Sequence, residues 1–183
     1  MNELARAALK DLHSSDKDRQ NQAFTFFMKA TAEPVDWAYD VWDSLANTLT
    51  DEDNRRRAIA AQVLCNLAKS GPKGKMRKTL GSLLAVTKDE RFVTARHCMQ
   101  AIWKAGAVNN DLRQQLIDGL AVRFTECAAE KNPTLIRYDI IVVLCQLFHH
   151  ARDESIRLPA QAWIATEPDG KYRKQYSPVW SKR

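Results

Sequence analysis

The spacing of apolar residues is the feature that most restricts how this chain folds. Segments of about 12 to 22 residues carry apolar side chains at every third or fourth position, and short polar or Gly/Pro-containing stretches separate them. This period is typical of amphipathic helices, and no segment shows the alternation of a strand. The pattern predicts eight helices near residues 2–13, 16–31, 34–49, 52–69, 73–86, 88–105, 109–130 and 133–150, and a shorter ninth near 153–166.

Residues at the predicted helix ends support these positions. The run Thr87–Glu90 has the form of a capping box and predicts a helix that begins near residue 88. Pro34 and Pro133 suit the first helical position, and Gly106 suits a left-handed C-cap.

Two of the predicted helices share a sequence pattern. Residues 57–68 (RAIAAQVLCNLA) and 137–148 (RYDIIVVLCQLF) coincide at five of twelve positions, at an offset of 80. Residues 95–106 lie between them at an offset of 38, which aligns Gln100 with Gln62 and Ile102 with Leu64. A helix pair every 35 to 42 residues is typical of a repeat in which each hairpin buries its apolar face against its neighbours. Leu64 and Leu144 occupy equivalent positions and are therefore predicted to be buried.

Over residues 1–150 the pattern resembles the HEAT-repeat family and its armadillo-like relatives. An Arg enters the second helix of a pair at Arg57 and Arg137, whereas the third unit has Ala95 there and the first has Asn21 or Gln22. Acidic residues lie at the predicted inter-helix turns: Asp16, Asp53 and Asp89. The resemblance implies an all-α fold, a right-handed α-α superhelix (a solenoid) of about four HEAT-like helical hairpins. It also implies a scaffold whose second helices line a concave face that binds protein or nucleic acid.

Residues 151–183 are expected to belong to the same domain as the repeats in 1–150, because 183 residues is a usual size for one domain. A capping helix would cover the apolar face of the last repeat. A basic-aromatic tail follows, in which Tyr172, Tyr176 and Trp180 alternate with Lys and Arg. Such a tail either caps the repeats or contacts nucleic acid.

The cysteines and the length of the apolar runs indicate the cellular compartment of the protein. Cysteines at positions 65, 98, 127 and 145 lack the spacing of a zinc or redox motif, and their apolar neighbours favour buried thiols in a cytoplasmic protein. The longest apolar run, Ile140–Cys145, is too short to cross a membrane, and the first residues lack the apolar block of a signal peptide. No membrane partner is expected.

Charge is distributed unevenly along the chain. Residues 1–54 carry five basic and eleven acidic side chains, whereas residues 55–104 carry twelve basic residues and only Asp89 and Glu90 as acids. The basic middle predicts either a docking surface for an anionic partner or internal neutralisation by the acidic segment. For the docking surface, the candidate ligand-binding residues are Arg56, Lys73, Lys75, Arg77, Lys78, Arg96, Trp103 and Lys104.

Patterns that would indicate catalysis are weak. Asp36, Asp40 and Asp43 share one helix face, which is typical of a solvated surface, and the histidines do not form a zinc ligand set. We therefore predict no catalytic residue, no metal, no cofactor and no enzymatic activity. The enzymatic alternative is a glycosylase similar to the HEAT-like DNA alkylation-repair enzymes, which combine a basic concave face with tryptophans. The basic middle and Trp103 are the features that resemble that group. The chain is short for that group, and no catalytic Asp aligns with it.

The function that these features favour is a non-enzymatic scaffold that binds a macromolecular partner on its concave face. A protein is the favoured partner. Nucleic acid, bound by the basic middle repeats, is the alternative.

Overall fold

The computed structural model describes residues 2–71 and 74–181, which form ten α-helices and no strand. The helices are α1 (Glu3–Leu12), α2 (Lys17–Ala30), α3 (Ala38–Thr48), α4 (Asn54–Leu67), α5 (Lys75–Val86), α6 (Phe92–Gly106), α7 (Asn110–Glu126), α8 (Pro133–Ala151), α9 (Glu154–Thr166) and α10 (Gly170–Ser181). Short 3-10 turns at Ala68–Ser70 and Cys127–Ala129 follow α4 and α7. The protein is therefore all-α, as the apolar spacing predicts. None of these helices is both long and apolar enough to cross a membrane.

Helices that are consecutive in the chain pack in pairs, from α1 with α2 to α9 with α10. Each even-numbered helix also packs against the next even-numbered helix from α2 to α10, and the odd-numbered helices do so from α1 to α7. The hairpins thus stack in chain order, and a single apolar core extends from Ala5 to Tyr176. Leu64 on α4 and Leu144 on α8 are both fully buried in this core, which confirms the prediction made from the sequence repeat.

The repeated arginines have equivalent roles. Arg57 near the start of α4 donates to both carboxylate oxygens of Asp89, at 2.6 and 2.9 Å, in the turn before α6. Arg137 near the start of α8 donates at 3.0 Å to Glu167, in the turn before α10. Each guanidinium therefore joins its own hairpin to the inter-helix turn of the next one.

Two helices begin later than their boundary residues predict. The prediction of Pro34 as a first helical residue is wrong, because α3 begins at Ala38 and the amide of Val35 instead donates to Ser70 at 3.1 Å. The capping box at Thr87–Glu90 is also wrong, since α6 begins at Phe92. The Thr87 hydroxyl donates to the Leu84 carbonyl at 2.6 Å, and Asp89 accepts from Arg57.

Gly106 is not a left-handed C-cap. It is the last residue of α6, and Ala107 caps the helix in a right-handed conformation. A Cβ atom at Gly106 would lie 2.9 Å from Leu116 and 3.0 Å from Leu147. A larger residue would therefore have to displace the terminal methyl groups of these two leucines, so glycine here serves packing between α6, α7 and α8.

The C-terminal segment, which the sequence predicts as a basic-aromatic tail, forms the helix α10. The buried Tyr176 donates through its hydroxyl to the Thr134 carbonyl at 2.7 Å, and its ring lies 6.1 Å from that of Tyr138. Tyr172, Val179 and Trp180 pack beside it against the core. The aromatic residues of this segment thus fix α10 to α8.

Candidate binding site on the even-numbered helices

Much of the positive charge of residues 55–104 is paired within the chain. Of the eleven cationic residues described in this segment, six contact a carboxylate: Arg56, Arg57, Lys75, Lys88, Arg91 and Arg96. Two of these contacts join the basic middle to the acidic first segment, from Lys75 to Asp43 and from Arg56 to Asp51. Internal neutralisation therefore accounts for part of the charge asymmetry.

Arg56 serves to join the first two hairpins. Its guanidinium donates to the carbonyls of His13 and Ser14 at 2.9 and 3.2 Å, at the end of α1. It also lies 3.5 Å from Asp51, in the turn before its own helix. These contacts direct the Arg56 charge towards the chain itself.

Lys75 and Arg96 are paired as well. The Lys75 ammonium lies 2.7 Å from Asp43 and 5.6 Å from the ring centre of Tyr39, both on α3. Arg96 donates to Asp139 on α8 at 2.7 and 3.1 Å, and that carboxylate is buried. Arg96 thus joins α6 to α8 directly, unlike Arg57 and Arg137, which bond to the inter-helix turn of the next hairpin.

Trp103 and Lys104 lie together in a pocket at the C-terminal ends of α4, α6 and α8. This ammonium pocket has a volume of about 190 Å³ and is lined by Cys65, Asn66, Lys69, Trp103, Lys104, Ala107, Val108 and His150. The Trp103 and His150 rings lie 6.0 Å apart, centre to centre, and form one wall. The Lys104 ammonium donates to the side-chain oxygen of Asn66.

Electrostatics in the ammonium pocket disfavour the charged form of Lys104. Burial lowers the pKa of Lys104; the Cys65 thiol opposes this shift and the nearby Lys69 ammonium adds to it. Burial also raises the pKa of Cys65 to about 12, so this thiol is uncharged at neutral pH. The lining therefore supplies the half-buried Lys104 and the exposed Lys69, and none of its eight residues is anionic.

The remaining predicted residues lie outside this pocket. Arg77 is exposed on α5 and lines a neighbouring depression that shares Val108 with the ammonium pocket. Lys78 is also exposed on α5. Lys73 lies outside the described residues. The seven predicted residues that the structure describes therefore do not share one surface: Trp103 and Lys104 come together, Arg77 lies next to them, and Arg56, Lys75 and Arg96 form separate ion pairs.

A second concavity crosses the even-numbered helices nearer their N-terminal ends. This interhelical groove has a volume of about 360 Å³ and is lined by Asn21 and Phe24 of α2, Asn54, Arg55, Ala58, Ile59 and Gln62 of α4, and Val93, Thr94 and His97 of α6. Val93 is exposed over 64% of its surface. Arg55 donates to the side-chain oxygen of Asn21 and contacts no described carboxylate.

The eight predicted ligand-binding residues include none that line the interhelical groove, and they omit Asn66, Lys69 and His150 of the ammonium pocket. The sequence repeat does indicate that Asn66 and Lys104 are neighbours. The offset of 38 aligns Asn66 of the second repeat with Lys104 of the third, and equivalent positions of stacked repeats lie side by side. The groove residues are uncharged apart from Arg55 and carried no motif. Within the described residues, no cluster of three or more His, Cys, Asp or Glu side chains is arranged to hold a metal ion.

The sequence matches no protein-family model and no curated protein. A comparison of structures finds the crystal structure of an engineered protein, with a TM-score of 0.57 and 17% sequence identity. The match covers 98% of this chain and 80% of that chain. At this identity the similarity concerns the fold alone.

Proposed function

We propose that the protein is a non-enzymatic, HEAT-like scaffold, and that it binds an extended segment of a partner protein in the interhelical groove. The proposed architecture is a right-handed superhelix of about four hairpins and a C-terminal cap. Its support is the packing of even-numbered helices on even-numbered ones and of odd-numbered helices on odd-numbered ones, which is how helical repeats build a continuous core.

The composition of the interhelical groove carries the functional proposal. Phe24, Ile59 and Val93 provide apolar surface across three helices, which suits the side chains of a bound peptide. The amides of Asn21, Asn54 and Gln62 keep hydrogen-bonding groups for a peptide backbone, whereas the buried Thr94 hydroxyl already donates to the Asn54 carbonyl at 3.1 Å. Arg55 carries a positive charge in this lining and has no carboxylate partner among the described residues. An acidic residue of the peptide is therefore expected beside it.

Display of short random peptides against the purified protein tests this proposal. Enriched peptides are expected to combine an apolar residue with an acidic one, and Val93→Asp should lower their affinity by about tenfold or more, because it places a charge against the apolar anchor. Val122→Asp is the matched control, since Val122 is 54% exposed on the odd-numbered helix α7. Failure to enrich peptides, or equal binding by Val93→Asp and the unmodified protein, would contradict the proposal.

Nucleic acid is the alternative ligand, and the pairing of six cations lowers its support. Phosphate-driven binding would weaken by orders of magnitude between about 50 and 200 mM salt, if six or more phosphates are neutralised. Titration of duplex and single-stranded DNA and RNA over this range separates the two functions. A steep salt dependence that becomes shallower in Arg77→Ala and Lys78→Ala would favour nucleic acid over the peptide groove.

A further inference from the structure

The ammonium pocket lies at the end of α4, α6 and α8 and shares no lining residue with the interhelical groove. A ligand there would therefore contact other side chains than a peptide in the groove. With a volume of about 190 Å³, it accommodates a small molecule or one functional group rather than a chain segment.

Its two cations have neutral partners. Lys104 donates to the side-chain oxygen of Asn66, and Lys69 donates to the carbonyl of Ala32. Neither ammonium contacts a carboxylate among the described residues, and Cys65 is fully buried and uncharged at neutral pH. An ammonium has three donors, so both residues keep donors for a ligand.

The helix termini do not replace a counter-ion. The carbonyl ends of helices carry about half an elementary negative charge, which favours cations at these positions. Three helix ends meet at this pocket and together carry about 1.5 negative charges, which the two ammonium groups exceed by about half a charge, and the two ammonium groups repel each other. A half-buried cation without an anionic partner is costly, and such a cost is typical of a binding site that a ligand completes.

The side chain of Trp103 indicates the shape of the uncharged part of the ligand. Its indole is half-buried and lines the pocket next to Lys104, while the His150 ring is tilted by 57° to it and bounds one edge of the indole. Flat aromatic surfaces bind planar groups by stacking.

We infer that the ammonium pocket is a binding site for a small organic oxyanion, a carboxylate or a phosphate ester, whose anionic group contacts Lys69 and Lys104 and whose planar body lies against Trp103.

The probes for this site are phenyl phosphate, benzoate, inorganic phosphate and the uncharged benzamide. Binding is followed through the indole N–H signals of the ¹⁵N-labelled protein, with the Trp103 signal assigned by its loss in Trp103→Phe. Phenyl phosphate or benzoate should shift that signal saturably, whereas benzamide should not. The preferred probe separates a phosphate ester from a carboxylate, and inorganic phosphate reports how much of the affinity the planar body provides.

Lys104→Met should lower the affinity for the preferred oxyanion by about tenfold, since it removes a charge-assisted hydrogen bond. Lys78→Met, at an exposed lysine on α5, is the control and should bind as the unmodified protein does. Lys69→Gln gives a second measurement of the same loss if Lys104→Met does not fold. A lack of saturable shift with either oxyanion, an equal shift with benzamide, or unchanged binding by the folded lysine variants would overturn the inference.

Discussion

The ammonium of Lys104 donates to Asn66, and the same Asn66 side chain donates through its nitrogen to the Thr31 hydroxyl at 3.2 Å. Thr31 in turn donates to the Phe27 carbonyl at 2.6 Å. This polar connection joins α6, α4 and the end of α2, which belong to three successive hairpins. Asn66 is buried at its centre.

Asn66→Ala should therefore destabilise the protein by about 1–3 kcal/mol, because it leaves the buried Thr31 hydroxyl without this donor and removes the acceptor of Lys104. Urea unfolding measures the change. Asn47→Ala, at an exposed position near the end of α3, is the matched control and should change stability by less than about 0.5 kcal/mol. Equal stabilities of the two variants would show that the polar connection contributes nothing.

The equivalent leucines of the core provide a second prediction. Leu64→Ala and Leu144→Ala should each cost about 2–5 kcal/mol, since each removes fully buried methyl groups and leaves a cavity. Leu158→Ala, at a side chain that is 64% exposed on α9, serves as the comparison. A cost at Leu64 or Leu144 no larger than at Leu158 would be incompatible with the observed packing.

Arg96 and Asp139 are expected to be strongly coupled. Arg96→Met should destabilise the protein, because the buried Asp139 carboxylate loses its partner. The loss should not exceed the cost of breaking a fully buried pair, about 3–5 kcal/mol, since Arg96 is partly open to water. Asp139→Leu in the same chain should restore much of that loss by removing the unpaired charge. A double-mutant cycle on unfolding free energies measures the coupling, and simple additivity would refute it.

Stability should fall in acid partly through Asp89. Burial raises the pKa of Asp89, but hydrogen bonds from Arg57 and the Arg91 amide, together with the Arg57 charge, outweigh it and leave this pKa below its ordinary value. The stabilisation is therefore present above pH of about 4 and is lost as the pH falls through the lowered pKa. Asp89→Asn should be less stable at pH 7, and its deficit should shrink towards pH 2. Unfolding measured across this range checks the sign, and Arg57→Met should reproduce the shallower profile. A deficit independent of pH would contradict this assignment.

The helices were largely predictable because nine of them carry a strong apolar period. The tenth was not predicted, although Tyr172, Tyr176, Val179 and Trp180 have the spacing of one helix face, because Gly170, Pro178 and the basic residues around them indicated a tail. The starts of α3 and α6 were misplaced for a different reason. Beside Pro34, the Val35 amide bonds to Ser70 of the next segment, and before α6 the Thr87 hydroxyl and the Asp89 carboxylate bond to Leu84 and Arg57 and do not cap the helix.

The candidate sites were harder to predict than the fold. Charge along the sequence does not reveal which cations are paired, and Arg96 meets an aspartate 43 positions away. The repeat offset predicts that Asn66 and Lys104 are neighbours. Lys69 and His150 line the same pocket because the ends of α4 and α8 meet there, and the sequence repeat does not predict this. The interhelical groove is a product of three helix surfaces, none of which has a distinctive motif.

The stacking of the hairpins in chain order has a consequence for biosynthesis. The main helix contacts join helices that are adjacent or next but one in the sequence, so no helix depends chiefly on a distant part of the chain. The tertiary contacts therefore span about one repeat of the chain and not its whole length. A hairpin can therefore gain its packing partner as soon as the following hairpin leaves the ribosome, and an incomplete chain exposes one unfinished apolar surface at its growing end.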